Sequence, residues 1–176
     1  MGNGERDYWV TIRFGSLEDF QEKLRADKKT VSEVMNLVDD RGISLLQQSL
    51  SNRKFEIADL LLNQGALVNN VSKDGCNELH YIAAHFEDRH AVQLAHRLVE
   101  LNVDLDLQDK KYGNSAFFTM CYEAFKVRSD ETNELLLSCL ELGPDVEIIN
   151  SAGYSVKKFI EENGDEDLKK ALVSSR

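Results

Sequence analysis

Four glycines recur at nearly regular intervals, and they constrain the fold of this chain more than any other feature. Gly42 lies in Asp39-Asp40-Arg41-Gly42-Ile43-Ser44 and Gly75 in Ser72-Lys73-Asp74-Gly75-Cys76-Asn77. Gly113 follows in Lys111-Tyr112-Gly113-Asn114-Ser115, and Gly153 in Ser151-Ala152-Gly153-Tyr154-Ser155. The intervals are 33, 38 and 40 residues. After each glycine one residue intervenes, and then comes Ser or Asn, whose side-chain oxygen can accept from the free N–H groups at the start of a helix. A period of this size is the mark of a repeat in which each unit is one supersecondary motif.

A second set of markers is offset from the first. Leu60-Leu61-Leu62-Asn63-Gln64-Gly65 ends a helix at a glycine able to take the left-handed conformation that closes it. Leu98-Val99-Glu100-Leu101-Asn102 repeats the pattern with Asn in the glycine's place, and Leu140-Glu141-Leu142-Gly143 repeats it again. The helices before these stops carry apolar stripes at helical spacing: Phe55, Ala58, Leu61 and Leu62, then Val92, Ala95, Leu98 and Val99, then Leu135, Leu136, Cys139 and Leu140. One helix pair cannot bury such a stripe alone, so neighbouring units are expected to stack and share a core.

The pattern resembles the ankyrin family, whose repeat reads roughly D-x-x-G-x-T-P-L-H-x-A-A, followed by a second helix ending L-L-x-x-G-A-D-V-N. The nearest copies are Asp74-Gly75-Cys76-Asn77-Glu78-Leu79-His80-Tyr81-Ile82-Ala83-Ala84 and Leu61-Leu62-Asn63-Gln64-Gly65-Ala66-Leu67-Val68-Asn69. The resemblance implies an all-α solenoid of stacked helix-turn-helix units with hairpin-like fingers. The whole chain, 1–176, is then a single domain: an N-terminal cap over 6–38, repeats over 39–71, 72–109 and 110–149, and a C-terminal cap over 150–176. Ile12-Arg13-Phe14-Gly15-Ser16-Leu17-Glu18-Asp19-Phe20 reads as inner helix, turn and outer helix of the first cap. Asn163-Gly164 with Asp165-Glu166-Asp167 reads as the turn and acidic helix start of the last. The chain departs from the family at the T-P dipeptide, since its one proline is Pro144 and Leu45, Glu78, Ala116 and Val156 stand at that position. The longer units are expected to place their extra residues in loops between inner and outer helices, near 86–90 and 126–131.

In the ankyrin family the concave face, lined by fingers and inner helices, usually binds protein. The resemblance carries that role onto Asp40, Arg41 and Ile43, then Lys73, Asp74 and Cys76, then Lys111, Tyr112 and Asn114, then Tyr154. On the inner helices it carries it onto Ser51 and Asn52, then His85 with the neighbouring Phe86, then Tyr122 and Glu123. Tyr112, Tyr122 and Tyr154 stand out, because tyrosine gives large contact area at low entropy cost.

Other chemistries find little support. His80, His85 and His90 are spaced by five, which turns them to different helix faces, and no HExxH pair is present. By the resemblance, His80 instead ties neighbouring fingers by hydrogen bonds. Asp104, Asp106 and Asp109 lack the glycine and the final glutamate of a calcium loop. No nucleophile motif, phosphate loop or dinucleotide pattern occurs, so no catalytic residue, metal or cofactor is expected and a metal-dependent hydrolase is the remote alternative. Cys76, Cys121 and Cys139 are odd in number and far apart, as buried reduced thiols would be. The longest apolar runs are too short for a membrane helix, Gly2-Asn3-Gly4 reads as a flexible tail, and a cytoplasmic protein is expected.

The net charge of −10 disfavours nucleic acid as a partner. It favours another protein, with neither a small-molecule substrate nor a membrane involved. Short acidic ankyrin proteins resemble bacterial immunity proteins, which implies an inhibitor of a basic toxin such as a nuclease. A general adaptor or regulatory scaffold is the other expectation.

Overall fold

The computed structural model describes residues 3–174. Among them are eleven helices, and β-pairing is confined to isolated bridges, so the chain is all-α. In order the helices are α1 (Asn3–Phe14), α2 (Leu17–Ala26), α3 (Val31–Val34), α4 (Leu45–Ser51), α5 (Phe55–Asn63) and α6 (Glu78–Ala83). They continue as α7 (Arg89–Glu100), α8 (Ala116–Val127), α9 (Asp130–Glu141), α10 (Val156–Asn163) and α11 (Glu166–Ser174). None is long and apolar enough to cross a membrane. Asn3 and Gly4, expected in a flexible tail, begin α1, while Gly2 lies outside the described residues.

Local chemistry sets where the helices begin and end. Ser44, Asn77, Ser115 and Ser155 are the N-caps of α4, α6, α8 and α10. The three serine hydroxyls accept from the N–H groups of Gln47, Phe118 and Lys158, which would otherwise be left without partners. The glycine two residues before each cap has φ between 67° and 79°. At Gly75 space matters as well, because a Cβ there would stand 3.0 Å from the carbonyl oxygen of Gln108. The helix stops at Gly65, Asn102 and Gly143 are left-handed too, with φ of 82°, 58° and 69°.

The helices form two rows. In the first row α1, α4, α6, α8 and α10 each pack on the next, and in the second row α2, α5, α7, α9 and α11 do the same. Each member of one row also packs against its sequence neighbour in the other. The core lies between the rows. All twelve stripe residues named from the sequence are buried in it. Each fully buried leucine, such as Leu61, Leu98 or Leu135, contributes about 1.5–3 kcal/mol by leaving water.

Some of the extra residues lie in the expected loop, since residues 84–88 join α6 to α7 where only 52–54 join α4 to α5, but most lie elsewhere. They lengthen helices: α7, α8 and α9 have 12 residues each, against 7 in α4 and 9 in α5. Only Arg128 and Ser129 separate α8 from α9; Arg128 is left-handed and Ser129 caps α9 through Thr132 N–H. Nothing between Ala116 and Val127 is glycine or proline, so nothing stops the helix earlier. Near 86–90, Arg89 and His90 open α7. The sequence reading also missed α3. Its start is a capping box, in which the Thr30 N–H and hydroxyl both donate to the Glu33 carboxylate.

Candidate functional site

The four glycine turns are built alike. Asp39, Ser72, Asp109 and Asn150 occupy the same position in each, and their side-chain oxygens accept from backbone N–H groups further round the turn. Asp109 is the most occupied, accepting from the N–H groups of Lys111, Tyr112 and Asn114. Successive turns are then joined by backbone bonds of 2.9 Å: Lys73 N–H to Arg41 O, Lys110 N–H to Asp74 O, and Ser151 N–H to Tyr112 O. His80 adds a side-chain link of the kind the resemblance implies. Its Nδ1 accepts from Asn77 N–H at 3.2 Å, which leaves Nε2–H to donate to Asn114 O at 3.3 Å. Burial holds the His80 pKa below its ordinary value, in keeping with a neutral ring used this way.

The third turn differs from the others. Three residues, Lys110, Lys111 and Tyr112, separate its acceptor Asp109 from Gly113, where the other turns have two. Around this turn the surface opens. One hollow of about 710 Å³ is lined by Tyr112, Phe118, Tyr122, Tyr154 and Phe159, together with Asn114 and residues 150–152. A second, of about 670 Å³, lies on the side of the preceding turn, with Lys73, Asp74, Cys76, Lys111 and Glu123 among its lining residues. Tyr112, Asn114 and Tyr122 line both and so form the wall they share.

The aromatic rings are ordered by packing and by cations. Phe159 lies 5.0 Å from Phe118 and 6.1 Å from Tyr122, whose ring is stacked on it. Lys111 Nζ stands 4.6 Å from the centre of the Tyr112 ring, Lys126 Nζ 4.2 Å from Tyr122, and Lys158 Nζ 4.1 Å from Tyr154. Such cation–π contacts are worth about 0.5–1 kcal/mol at exposed sites. Tyr112 and Tyr122 remain 55% and 48% exposed. Tyr154 is half-buried against the core.

Nine of the sixteen residues singled out from the sequence line these two hollows: Lys73, Asp74, Cys76, Lys111, Tyr112, Asn114, Tyr122, Glu123 and Tyr154. Asp40 and Arg41 lie exposed on the first turn, where Arg41 pairs with Asp74 at 3.3 Å. Ser51 and Asn52 bond back to Gln48 O at the end of α4. His85 is drawn away from the hollows, its Nε2 at 3.1 Å from Ser51 O and its ring against Phe55. Two residues must be struck from the set. Ile43 is 5% exposed, beneath α1, whose Trp9 indole donates to the Ile43 carbonyl. Phe86 is 2% exposed, because the connection from α6 to α7 folds it into the core.

Phe118, Thr119 and Phe159 line the hollows and were missed. Their signal was available, since they lie three or four residues after the caps Ser115 and Ser155, and Phe118 and Thr119 stand one turn before Tyr122 and Glu123. Cys76 is half-buried; burial, with Asp109 and Asp74 nearby, pushes its pKa to about 11. It therefore carries its proton at neutral pH and is a poor nucleophile. Among the described residues no group of three or more His, Cys, Asp or Glu side chains is placed to hold a metal ion. Of the three aspartates weighed for calcium, Asp104 and Asp106 accept backbone N–H groups of Asp106 and Asp145, as Asp109 does within its turn. Compared with known proteins, the chain matches no family model and no curated protein.

Proposed function

We propose that the chain is an ankyrin-type solenoid that holds another protein against its turns and first-row helices, without catalysis. The two rows of helices, the capped glycine turns and the bonds linking turn to turn support the repeat reading. One observation carries the binding reading. Exposed tyrosine rings surround open hollows, with aromatic floors beneath them, on a surface where water contact gains the protein nothing. Such rings are typical anchors for a partner's side chains.

A general adaptor or scaffold role follows directly from this reading. An inhibitor of a basic toxin requires an acidic contact surface, and the exposed carboxylates Asp130, Glu131, Glu134 and Glu141 gather on α9 in the second row, away from the tyrosines. A basic partner would therefore meet that row, and we keep the adaptor reading for the hollows. The proposed setting is the cytoplasm, where the thiols of Cys76, Cys121 and Cys139 stay reduced.

The test is an affinity capture from the source cell, run in parallel with the wild type and with Tyr122→Ala, and read by mass spectrometry. A protein retained by the wild type and lost from the variant is the expected result. Equal recovery on both would remove the hollows from the binding surface.

A further inference from the structure

Resting on the proposed binding role, we infer that the tyrosine hollows take an acidic segment of the partner: an extended stretch with an aromatic or aliphatic side chain flanked by carboxylates. The apolar part follows from the floor. Phe118, Tyr122 and Phe159 give a surface whose volume suits a few side chains.

The charge follows from the rim. Lys111 and Lys158 stand over tyrosine rings at the hollow, and among the described residues neither has a carboxylate within ion-pair distance. The adjoining hollow is balanced instead, since Lys73, Lys110 and Lys111 share its lining with Asp74, Asp109 and Glu123. A chain of net charge −10 thus sets two ammonium groups, Lys111 and Lys158, outside any ion pair beside an apolar hollow whose lining holds no carboxylate. A docked segment responds to the lysines it touches.

Lysines with aromatic rings also suit single-stranded nucleic acid. The carboxylates of Asp74, Asp109 and Glu123 in the second hollow argue against it, since a continuous phosphate chain crossing both hollows would meet them. A peptide can place its acidic side chains selectively.

The inference is tested by selection from a displayed library of random peptides of about twelve residues, long enough when extended to cross both hollows. The target is the full chain, and Tyr122→Ala is the counter-target. The expected pool carries Asp or Glu beside an aromatic or aliphatic residue, binds the wild type at least about tenfold tighter than Tyr122→Ala, and loses about tenfold again on Lys111→Glu with Lys158→Glu. Both lysines are exposed, so their reversal leaves the core untouched. Peptides without acidic bias, or indifferent to the lysine reversal, would overturn the acidic inference and leave the hollow as the binding surface. Peptides that bind Tyr122→Ala equally well, or no enrichment at all, would overturn both. A labelled thymidine oligonucleotide that binds more tightly than the selected peptides would replace the peptide with nucleic acid.

Discussion

The first two turns and the last two share one backbone plan and treat the space beside it in opposite ways. In the first half, polar side chains close it. Gln47 donates to Asn70 O and to the buried Glu78 carboxylate, Asn70 donates back to Gln47 Oε1, and Tyr81 donates its hydroxyl to Ser72. Glu78 also accepts from the N–H groups of Asn69 and Asn70. In the second half the positions matching Gln47 and Tyr81 are Phe118 and Phe159, and those matching Glu78 are Ala116 and Val156. The polar lock is gone, rings replace it, and a longer turn and a longer helix hold the space open. The same backbone plan can therefore exchange hydrogen bonds at one end for exposed aromatic area at the other.

The largest expected effect tests the closed half. Glu78→Ala leaves three donors facing a void and should cost about 3 kcal/mol, read as a lower denaturation midpoint in urea. A loss well under 1 kcal/mol would mean that the polar lock is ornamental. Next comes the open half. Tyr122→Ala should weaken partner binding by about 2 kcal/mol while leaving stability nearly unchanged, since the ring is half exposed. Ser51→Ala, the matching change in the first half, should leave binding as it was; if the two behave alike, the halves are functionally equivalent and the comparison fails.

A smaller effect tests the joint between the halves. A base whose pKa is lowered by folding adds stability while it is neutral. For His80 that contribution is whole above the ordinary value of 6.5 and is lost as pH falls below it toward the lowered folded value. Unfolding followed across this window should show a decline in the wild type, and His80→Gln should flatten it. The smallest effect concerns the helix stop at Asn102. Its φ of 58° is one that glycine takes without strain, so Asn102→Gly should raise stability by less than about 1 kcal/mol. A marked loss would show that the Asn side chain does more than terminate α7.

Much of this architecture was legible in the chain because it is locally encoded. A Ser or Asn two residues past a glycine marks both the turn and the cap, and Ser44, Asn77, Ser115 and Ser155 all serve as caps. The stripes on α5, α7 and α9 are periodic, so their burial could be read without knowing what they touch. The hollow was only half legible. Tyr112 and Tyr122 announced themselves by residue type and register. Phe118 and Phe159 did not, because that they form a floor depends on which neighbour fails to cover them. Ile43 was misplaced for the same reason: its burial depends on Trp9, thirty-four residues earlier. The lengthening of α8 had a local signal in its uninterrupted helix formers, outweighed by the expectation that added residues become loops.

The bonds that join one turn to the next run in a single direction and return to no starting point. Arg41 gives a carbonyl to Lys73, Asp74 to Lys110 and Tyr112 to Ser151, and no geometric condition requires the series to stop there. A closed barrel admits only certain strand numbers, whereas this ladder sets its length by how many rungs the gene encodes. Duplicating residues 110–149 would be expected to supply a second pair of tyrosines beside the first, so that the exposed aromatic surface grows by whole units.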